Sequence, residues 1–320
     1  MTTGSRKIQR TRRVAVVAAA CSLIALALPP ASLGPAQAGA KYSRVGYFSP
    51  LRGTVINEGK PVSQWPGVVM HAPTRLPKVL YGGKPYWNAV TISLYGLQKY
   101  NRFVQDADKR DWARARRAAD WLVRHQTDDG AWNYRMPFSF PRDYVPFKLP
   151  WLAAQAQGNA LSLLVRVWRR TGDARYGRAM RRGLLPLTRE VGDGGVRRHV
   201  RGYVVYEGFP TVRPSVCLED FQLALLGLYD AAPYSPRARR LLAHGLRGLR
   251  WSLPYYTDDQ GRPLYDLMHV SSPLGERYEA FAHPLNAALL RTLGQVSGDD
   301  RLRRYAKRWR ATRPVGEQRR

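Results

Sequence analysis

Cysteine is nearly absent from this chain, which carries only Cys21 and Cys217 in 320 residues. This scarcity excludes a disulfide framework and a cysteine-rich metal site as the basis of the fold. Acidic residues are also scarce, because 23 Asp and Glu stand against 52 Lys and Arg, and the formal net charge is +29. A field of that sign concentrates polyanions near the surface.

Long apolar runs are missing everywhere except at the amino terminus. There, a basic segment at residues 1–13 precedes an apolar run from Val14 to Leu28, and Ala36-Gln37-Ala38 supplies a small-x-small cleavage site. We therefore expect residues 1–38 to be a signal peptide, and the mature protein to be secreted or associated with the cell envelope, without a stable membrane span. An uncleaved anchor is the alternative, and Thr11-Arg12-Arg13 leaves a twin-arginine route open beside the general secretory route.

The basic charge has two interpretations. An exported protein meets acidic glycans rather than nucleic acid, so the charge favours an acidic polysaccharide partner and no nucleic acid. A general preference for arginine explains it equally well, since the basic residues are spread along the chain. A homodimer is compatible with either interpretation.

The chain divides by composition near residue 85. Residues 39–85 are rich in Gly and Pro, and short β-type pieces at Tyr42–Phe48 and Val68–His71 predict a small β or irregular region. Residues 86–320 instead show apolar positions recurring every three or four residues, which is typical of amphipathic helices. The predicted helices span residues 89–104, 108–126, 152–171, 174–190, 216–230, 236–253, 283–296 and 299–312.

These helices form pairs that repeat along the chain. The turns that end the first three pairs begin near residues 128, 193 and 258, a period of about 65 residues. A helical pair cannot bury its apolar face alone, so successive pairs must stack. We predict a mainly α fold, an incomplete (α/α) toroid of about four helical hairpins, with its long loops gathered on one rim. An open solenoid is the alternative.

The long loops carry many aromatic residues, which stack on sugar rings. They begin at Trp132, Tyr203, Tyr255 and Tyr278. Three segments, 206–215, 265–269 and 277–286, also concentrate ionisable side chains. For any single ring, packing of the loop onto the rim is the simpler explanation, but four such loops on one rim favour a glycan cleft.

At these residues the sequence resembles the C-terminal catalytic domain of D-glucuronyl C5-epimerases. With the expected signal peptide, it resembles a bacterial, secreted relative of that family. The resemblance runs in order from Tyr81 to Arg313. Its main pieces are Tyr95-Gly96-Leu97, Ala154-Gln155-Ala156-Gln157-Gly158, Pro210-Thr211, Pro214-Ser215, Leu225-Leu226-Gly227-Leu228-Tyr229-Asp230, Tyr265-Asp266-Leu267 with His269, and His283. It implies an isomerase that inverts C5 of glucuronate in a heparosan-like chain and needs neither cofactor nor metal.

The resemblance implies a site in which one group removes the C5 proton, another returns a proton to the opposite face, and cations neutralise the carboxylate. Its catalytic candidates are Tyr265, Glu207, Tyr206 and Tyr278. Arg213 or Arg277 would neutralise the carboxylate. The remaining substrate-binding candidates are His269, His283, Asn286, Gln155, Gln157, Trp87, Asn88 and Trp132.

The chain departs from the family pattern at particular positions. Phe209 stands where the family has a tyrosine, Met268 where it has an arginine, and Glu219 where it has an asparagine. Two other functions therefore stay open. A polysaccharide lyase begins with the same proton abstraction, and a non-catalytic protein could bind the acidic glycan without reacting.

Overall fold

The computed structural model describes residues 61–140 and 145–312. The predicted signal peptide and the β-type piece Tyr42–Phe48 lie outside these residues. Within the described part, helices are either too short or too polar to cross a bilayer.

The described chain begins with a three-stranded antiparallel sheet of β1 (Val68–His71), β2 (Leu76–Tyr81) and β3 (Lys84–Tyr86), in that order. The strand predicted at Val68–His71 is confirmed. Gly82 and Gly83 join β2 to β3 with positive φ angles of 54° and 79°, as a two-residue type I′ hairpin requires. The buried face of β2 packs against the first helix, so this small sheet covers one side of the helical part.

Seven of the eight predicted helices are confirmed to within two residues at each end, and the protein is mainly helical with small strand regions. The helices are α1 (Ala89–Asp106), α2 (Lys109–His125), α3 (Ala154–Thr171), α4 (Ala174–Arg182), α5 (Leu218–Ala231), α6 (Pro236–Ser252), α7 (Met268–Ser271), α8 (Ala282–Ser297) and α9 (Asp300–Ala311). Short polar residues begin several of them. The Asp108, Asp173 and Asp299 side chains each accept a hydrogen bond from a backbone N–H of the first turn.

Two details of the prediction are wrong. The helix expected over residues 174–190 ends at Arg182, because Gly183 and then Pro186 follow and the chain continues as a short 3-10 turn at Pro186–Thr188. The aromatic loop expected to begin at Tyr203 starts as a strand. Here β4 (Arg197–Val200) and β5 (Tyr203–Tyr206) form an antiparallel hairpin that packs on α6.

The first helices of the four hairpins pack side by side in chain order, α1 on α3, α3 on α5 and α5 on α8. The closest approach is between α3 and α5, where a Cβ atom on Gly227 would overlap the carbonyl group of Gly158. Each of these inner helices also packs against the helix that follows it, α2, α4, α6 or α9. The residues that begin α1, α3 and α5 consequently meet at one end of the row.

Candidate active site

A cavity lies where the amino-terminal sheet meets the starts of three inner helices. Asn88 and Thr91 reach it from the start of α1, Gln155 from the start of α3 and Asp220 from the first turn of α5. Its remaining walls are formed by Pro66, Val68, Val79, Val90, Tyr134, Trp151, Ala153, Gly208 and Phe209. Segments far apart in the sequence thus build one concave site, as ligand sites commonly do.

A surface groove continues from the cavity, and Trp151 lines both. The groove is lined by Asn133, by residues 148–152 and by the loops at residues 191–195 and 210–212. Arg198 also lines it, so the groove has two cationic residues, Lys148 and Arg198, and one acidic residue, Asp129. The groove encloses about 620 Å³ and could hold part of a polymer, whereas the cavity encloses only about 20 Å³ and adds buried polar side chains next to the groove.

Most aromatic rings of the long loops pack on one another rather than face solvent. Tyr134 and Trp151 stack with ring centroids 4.3 Å apart, and Phe138 stacks on Phe209 at 5.5 Å. Phe140 also contacts Phe209, at 5.1 Å. For these rings, packing of the loops outweighs display to a sugar, although Tyr134, Trp151 and Phe209 do line the cavity.

Glu207 is buried at the end of β5, where it holds the following loop in place. One carboxylate oxygen accepts from the Ser215 backbone N–H at 3.1 Å and pairs with Arg198 Nε at 3.0 Å. The other oxygen accepts from Ser215 Oγ at 2.9 Å and from the Val216 N–H at 2.8 Å. Burial raises the pKa of Glu207, while Arg198 and these hydrogen bonds oppose the rise.

The held loop is strained immediately before α5. Val216 has a positive φ of 41°, which is unfavourable for a β-branched residue. Its N–H is bound by Glu207, and its carbonyl accepts from the buried Tyr256 hydroxyl at 2.6 Å. The Glu207 and Tyr256 side chains therefore fix the backbone that leads into α5, and Asp220 lies in the first turn of this helix.

Tyr265 and Arg277 form a second buried group beside that turn. The Arg277 guanidinium carbon lies 4.5 Å from the Tyr265 ring centroid, and Arg277 Nε donates to Glu279 at 2.8 Å. Burial by itself lowers the pKa of Arg277, but Tyr265 and Glu279 raise it, and the net shift is upward. The Nη1 group is 3.7 Å from Asp266 and has no hydrogen-bond partner among the described residues. Arg277 therefore retains one donor for a ligand.

Glu219 and Asp220, in the first turn of α5, connect these groups to the cavity. Burial raises the pKa of Glu219 to about 7, against the opposing charge of Arg277. Burial also raises the pKa of Asp220 well above its ordinary value, and the charges of Glu219 and Glu207 add to the rise. Two adjacent carboxyl groups with raised pKa values are candidates for exchanging protons.

Tyr265 and Arg277 contact each other, and Glu207 holds the loop before α5, but none of the three lines the cavity. Two other catalytic candidates lie apart from them. Tyr206 is fully buried, its hydroxyl donates to the Leu241 carbonyl of α6 at 2.8 Å, and burial raises its pKa. Tyr278 lies 2.9 Å from His283 Nδ1. The other His283 nitrogen lies 2.7 Å from the Trp309 carbonyl of α9, so it carries the proton and the Tyr278 hydroxyl donates.

The binding candidates are also dispersed. Asn88 and Gln155 line the cavity, whereas Arg213 is exposed on the 210–215 loop. Trp132 is buried and donates to the Leu122 carbonyl, and Trp87 packs 5.6 Å from Trp121. Both tryptophans therefore stabilise the packing of the protein and do not line the cavity.

Buried polar side chains recur at matching places on the inner helices. Gln157 of α3 and Asn286 of α8 are fully buried, and their side-chain amide groups have no partner among the described residues. His269, on α7, likewise has a buried Nδ1 without a partner there. Buried polar atoms of this kind are normally satisfied by water.

Replacing Glu219 tests the electrostatics of the site. A carboxyl group whose pKa is raised from 4.5 to about 7 in the folded state stabilises the protein below pH 4.5, and this contribution is lost as the pH rises to about 7. Glu219→Gln should therefore reduce the fall in free energy of unfolding between pH 5 and 8, measured by urea denaturation. The exposed Glu276→Gln serves as the control. An unchanged slope in Glu219→Gln would contradict this electrostatic assignment.

Comparison with known proteins gives consistent similarities. The family model for the D-glucuronyl C5-epimerase C-terminus matches residues 126–311. A D-glucuronyl C5-epimerase of Caenorhabditis elegans is 31% identical over 209 residues, which are 60% of this chain and 33% of that protein. The chain thus spans about a third of the length of this curated relative. A solved family 76 glycoside hydrolase from a bovine Bacteroides thetaiotaomicron strain has a TM-score of 0.45 and 12% identity, covering 78% of this chain and 49% of its own, a likeness too distant to support a conclusion.

Proposed function

This chain belongs to the family of the D-glucuronyl C5-epimerase C-terminus, and on that premise we propose that it inverts C5 of glucuronate units in an acidic polysaccharide. The observation that carries the proposal is the coincidence of the matched region with the cavity at the starts of α3 and α5. Gln155, Phe209 and Asp220 all line that cavity and all lie within the matched residues.

The proposed arrangement places the polymer along the groove and one uronate at the cavity, which must widen around the sugar because it encloses only about 20 Å³ in this structure. Lys148 and Arg198 face the groove, where they would attract the acidic chain. Trp151 lines both groove and cavity and marks the place where the proposed polymer would pass from one to the other. The packing of α1, α3, α5 and α8 in chain order supports an incomplete toroid whose rim bears this site, with residues 86–320 as the catalytic domain and 39–85 as a small addition.

The chemistry follows from the weak acidity of the C5 hydrogen, which is α to a carboxylate. Removal of this proton places negative charge on the carboxylate oxygens, and the unpaired donor of Arg277 is a candidate to stabilise that charge. Tyr265, against the Arg277 guanidinium, is the proposed proton-transferring group on one face of the sugar. Both oxygens of Glu207 are engaged by Arg198 and the 215–216 backbone. Glu207 therefore positions the loop and does not transfer a proton itself. No step requires a cofactor.

The charge of the chain and its amino-terminal sequence support a location in which it meets such a polymer. We propose that residues 1–38 are a signal peptide. The mature protein would then be secreted or associated with the cell envelope. A heparosan-like, uronate-rich chain is the proposed substrate class.

The test is incubation of the purified protein with heparosan in heavy water, followed by NMR of the recovered polymer. The proposal expects deuterium at C5 of the uronates and the appearance of iduronate signals. An unsaturated uronate that absorbs in the ultraviolet would instead establish a lyase. Binding of the polymer without deuterium at C5 would contradict the proposal and identify a non-catalytic glycan-binding protein.

A further inference from the structure

We propose that Asp220 is the second acid/base residue of this site, the group that exchanges a proton with C5 on the face opposite Tyr265, and that Glu219 is its positioning residue. This inference rests on the proposed epimerase function and deepens it. The proposal starts from the cavity, because among its lining side chains Asp220 is the carboxylic acid. The Asp220 residue is 3% exposed, so it is almost completely shielded from solvent at the wall of the cavity.

The local backbone is shaped to admit this carboxyl group. A Cβ atom on Gly208 would overlap the Asp220 carboxyl group, so a residue with a side chain at position 208 would displace it. Phe209, the next residue, lines the same cavity but has no group that can transfer a proton. Gly208 thus makes room for an acid beside an inert ring.

The groups around Asp220 favour a protonated carboxyl that can also ionise. Four titratable groups act on Asp220. They are Glu207 after β5, Cys217 in the loop before α5, Glu219 in α5 and Tyr256 in the chain after α6. Of these, Glu219 and Glu207 are the acidic neighbours whose charges raise the pKa of Asp220, after burial as the largest cause. A carboxyl group whose pKa is raised holds its proton more strongly and is a stronger base once it is ionised, as a general acid–base group requires.

The proposed step balances without any further reactant. When Asp220 acts as base, it accepts the C5 proton, the C–H electron pair moves into the C5–C6 bond, and the charge develops on the uronate carboxylate. Tyr265 then donates its hydroxyl proton to the opposite face of C5, which inverts the centre. Solvent restores the two protonation states, and the reverse reaction uses the groups in exchanged roles.

A two-base reaction gives the test a signature that structural damage does not produce. Asp220→Asn keeps the size of the side chain and its neutral form, so we expect a folded protein that loses epimerisation by about 10²–10⁴-fold. We also expect it to exchange solvent deuterium into C5 of one epimer only, since Tyr265 still serves one face. Heparosan and an iduronate-enriched polymer are the two probes, and the exposed Asp259→Asn is the control.

A second variant keeps the inference testable if Asp220→Asn does not fold. Glu219→Gln removes the neighbouring like charge, so the limb of the pH–rate profile that belongs to Asp220 should move to lower pH. An unmoved profile would overturn the inference. The inference would also be overturned if Asp220→Asn folds and epimerises the polymer at the full rate, while the wild-type protein exchanges deuterium under the same conditions. Absence of exchange in the wild type would instead overturn the proposed function itself.

Discussion

Replacing Tyr265 with Phe should lower the rate of C5 deuterium exchange into heparosan by about 10²–10⁴-fold, because the variant loses a proton-transferring hydroxyl. The ring itself is retained, so its contacts with Arg277 at 4.5 Å and Phe281 at 6.0 Å should persist. NMR of the polymer recovered from heavy water measures the rate. The loss should appear mainly in kcat, since the hydroxyl acts on the transition state.

Tyr255→Phe is the matched control for this substitution. Tyr255 is half-buried and packs on Trp251 at 5.1 Å, away from the cavity. We expect this variant to exchange deuterium at the wild-type rate. Exchange by Tyr265→Phe at the same rate as Tyr255→Phe would remove Tyr265 from the mechanism.

Replacing Asp230 with Ala should lower the free energy of unfolding by about 3–5 kcal/mol, the cost of breaking a fully buried ion pair. Asp230 Oδ2 lies 2.6 Å from Arg166 Nη1, and both side chains are completely buried between α3 and α5. Without Asp230 a charged guanidinium remains in the core. Urea denaturation at pH 7 measures the loss.

Two further variants separate this effect from a general effect of removing an acid. Asp106→Ala removes an acid from the end of another inner helix, where Asp106 is exposed, and should change stability by less than about 0.5 kcal/mol. The double variant Arg166→Met/Asp230→Leu should recover most of the loss, because an apolar pair leaves no buried charge. A loss below about 1 kcal/mol in Asp230→Ala would contradict the account of this pair.

The helical part of the fold could be predicted from the sequence because its signals are local. Apolar positions recur at helical spacing, and residues such as Asp108, Asp173 and Asp299 mark helix starts. The β4–β5 hairpin was missed because its turn, Arg201-Gly202, has positive φ at both residues while the strands are short and interrupted by charge. Such a turn carries a weak signal when Arg occupies its first position.

The site was predicted less well because it depends on where side chains point. Tyr206 ends β5 and Glu207 is the next residue, and their side chains point in different directions, Tyr206 into α6 and Glu207 toward Ser215. Asp220 was not among the predicted site residues. A signal for it does exist, since two adjacent acids open α5, whose other residues are mostly apolar, but its meaning appears only with Gly208 and the cavity in view.

A crystal structure of the protein with a glucuronate-containing tetrasaccharide tests the central claim most directly. The account predicts one uronate in the cavity beside Asn88 and Gln155, with C5 within reach of the Asp220 carboxyl group and the chain continuing past Trp151 into the groove. A tetrasaccharide bound elsewhere, with the cavity filled only by water, would contradict it.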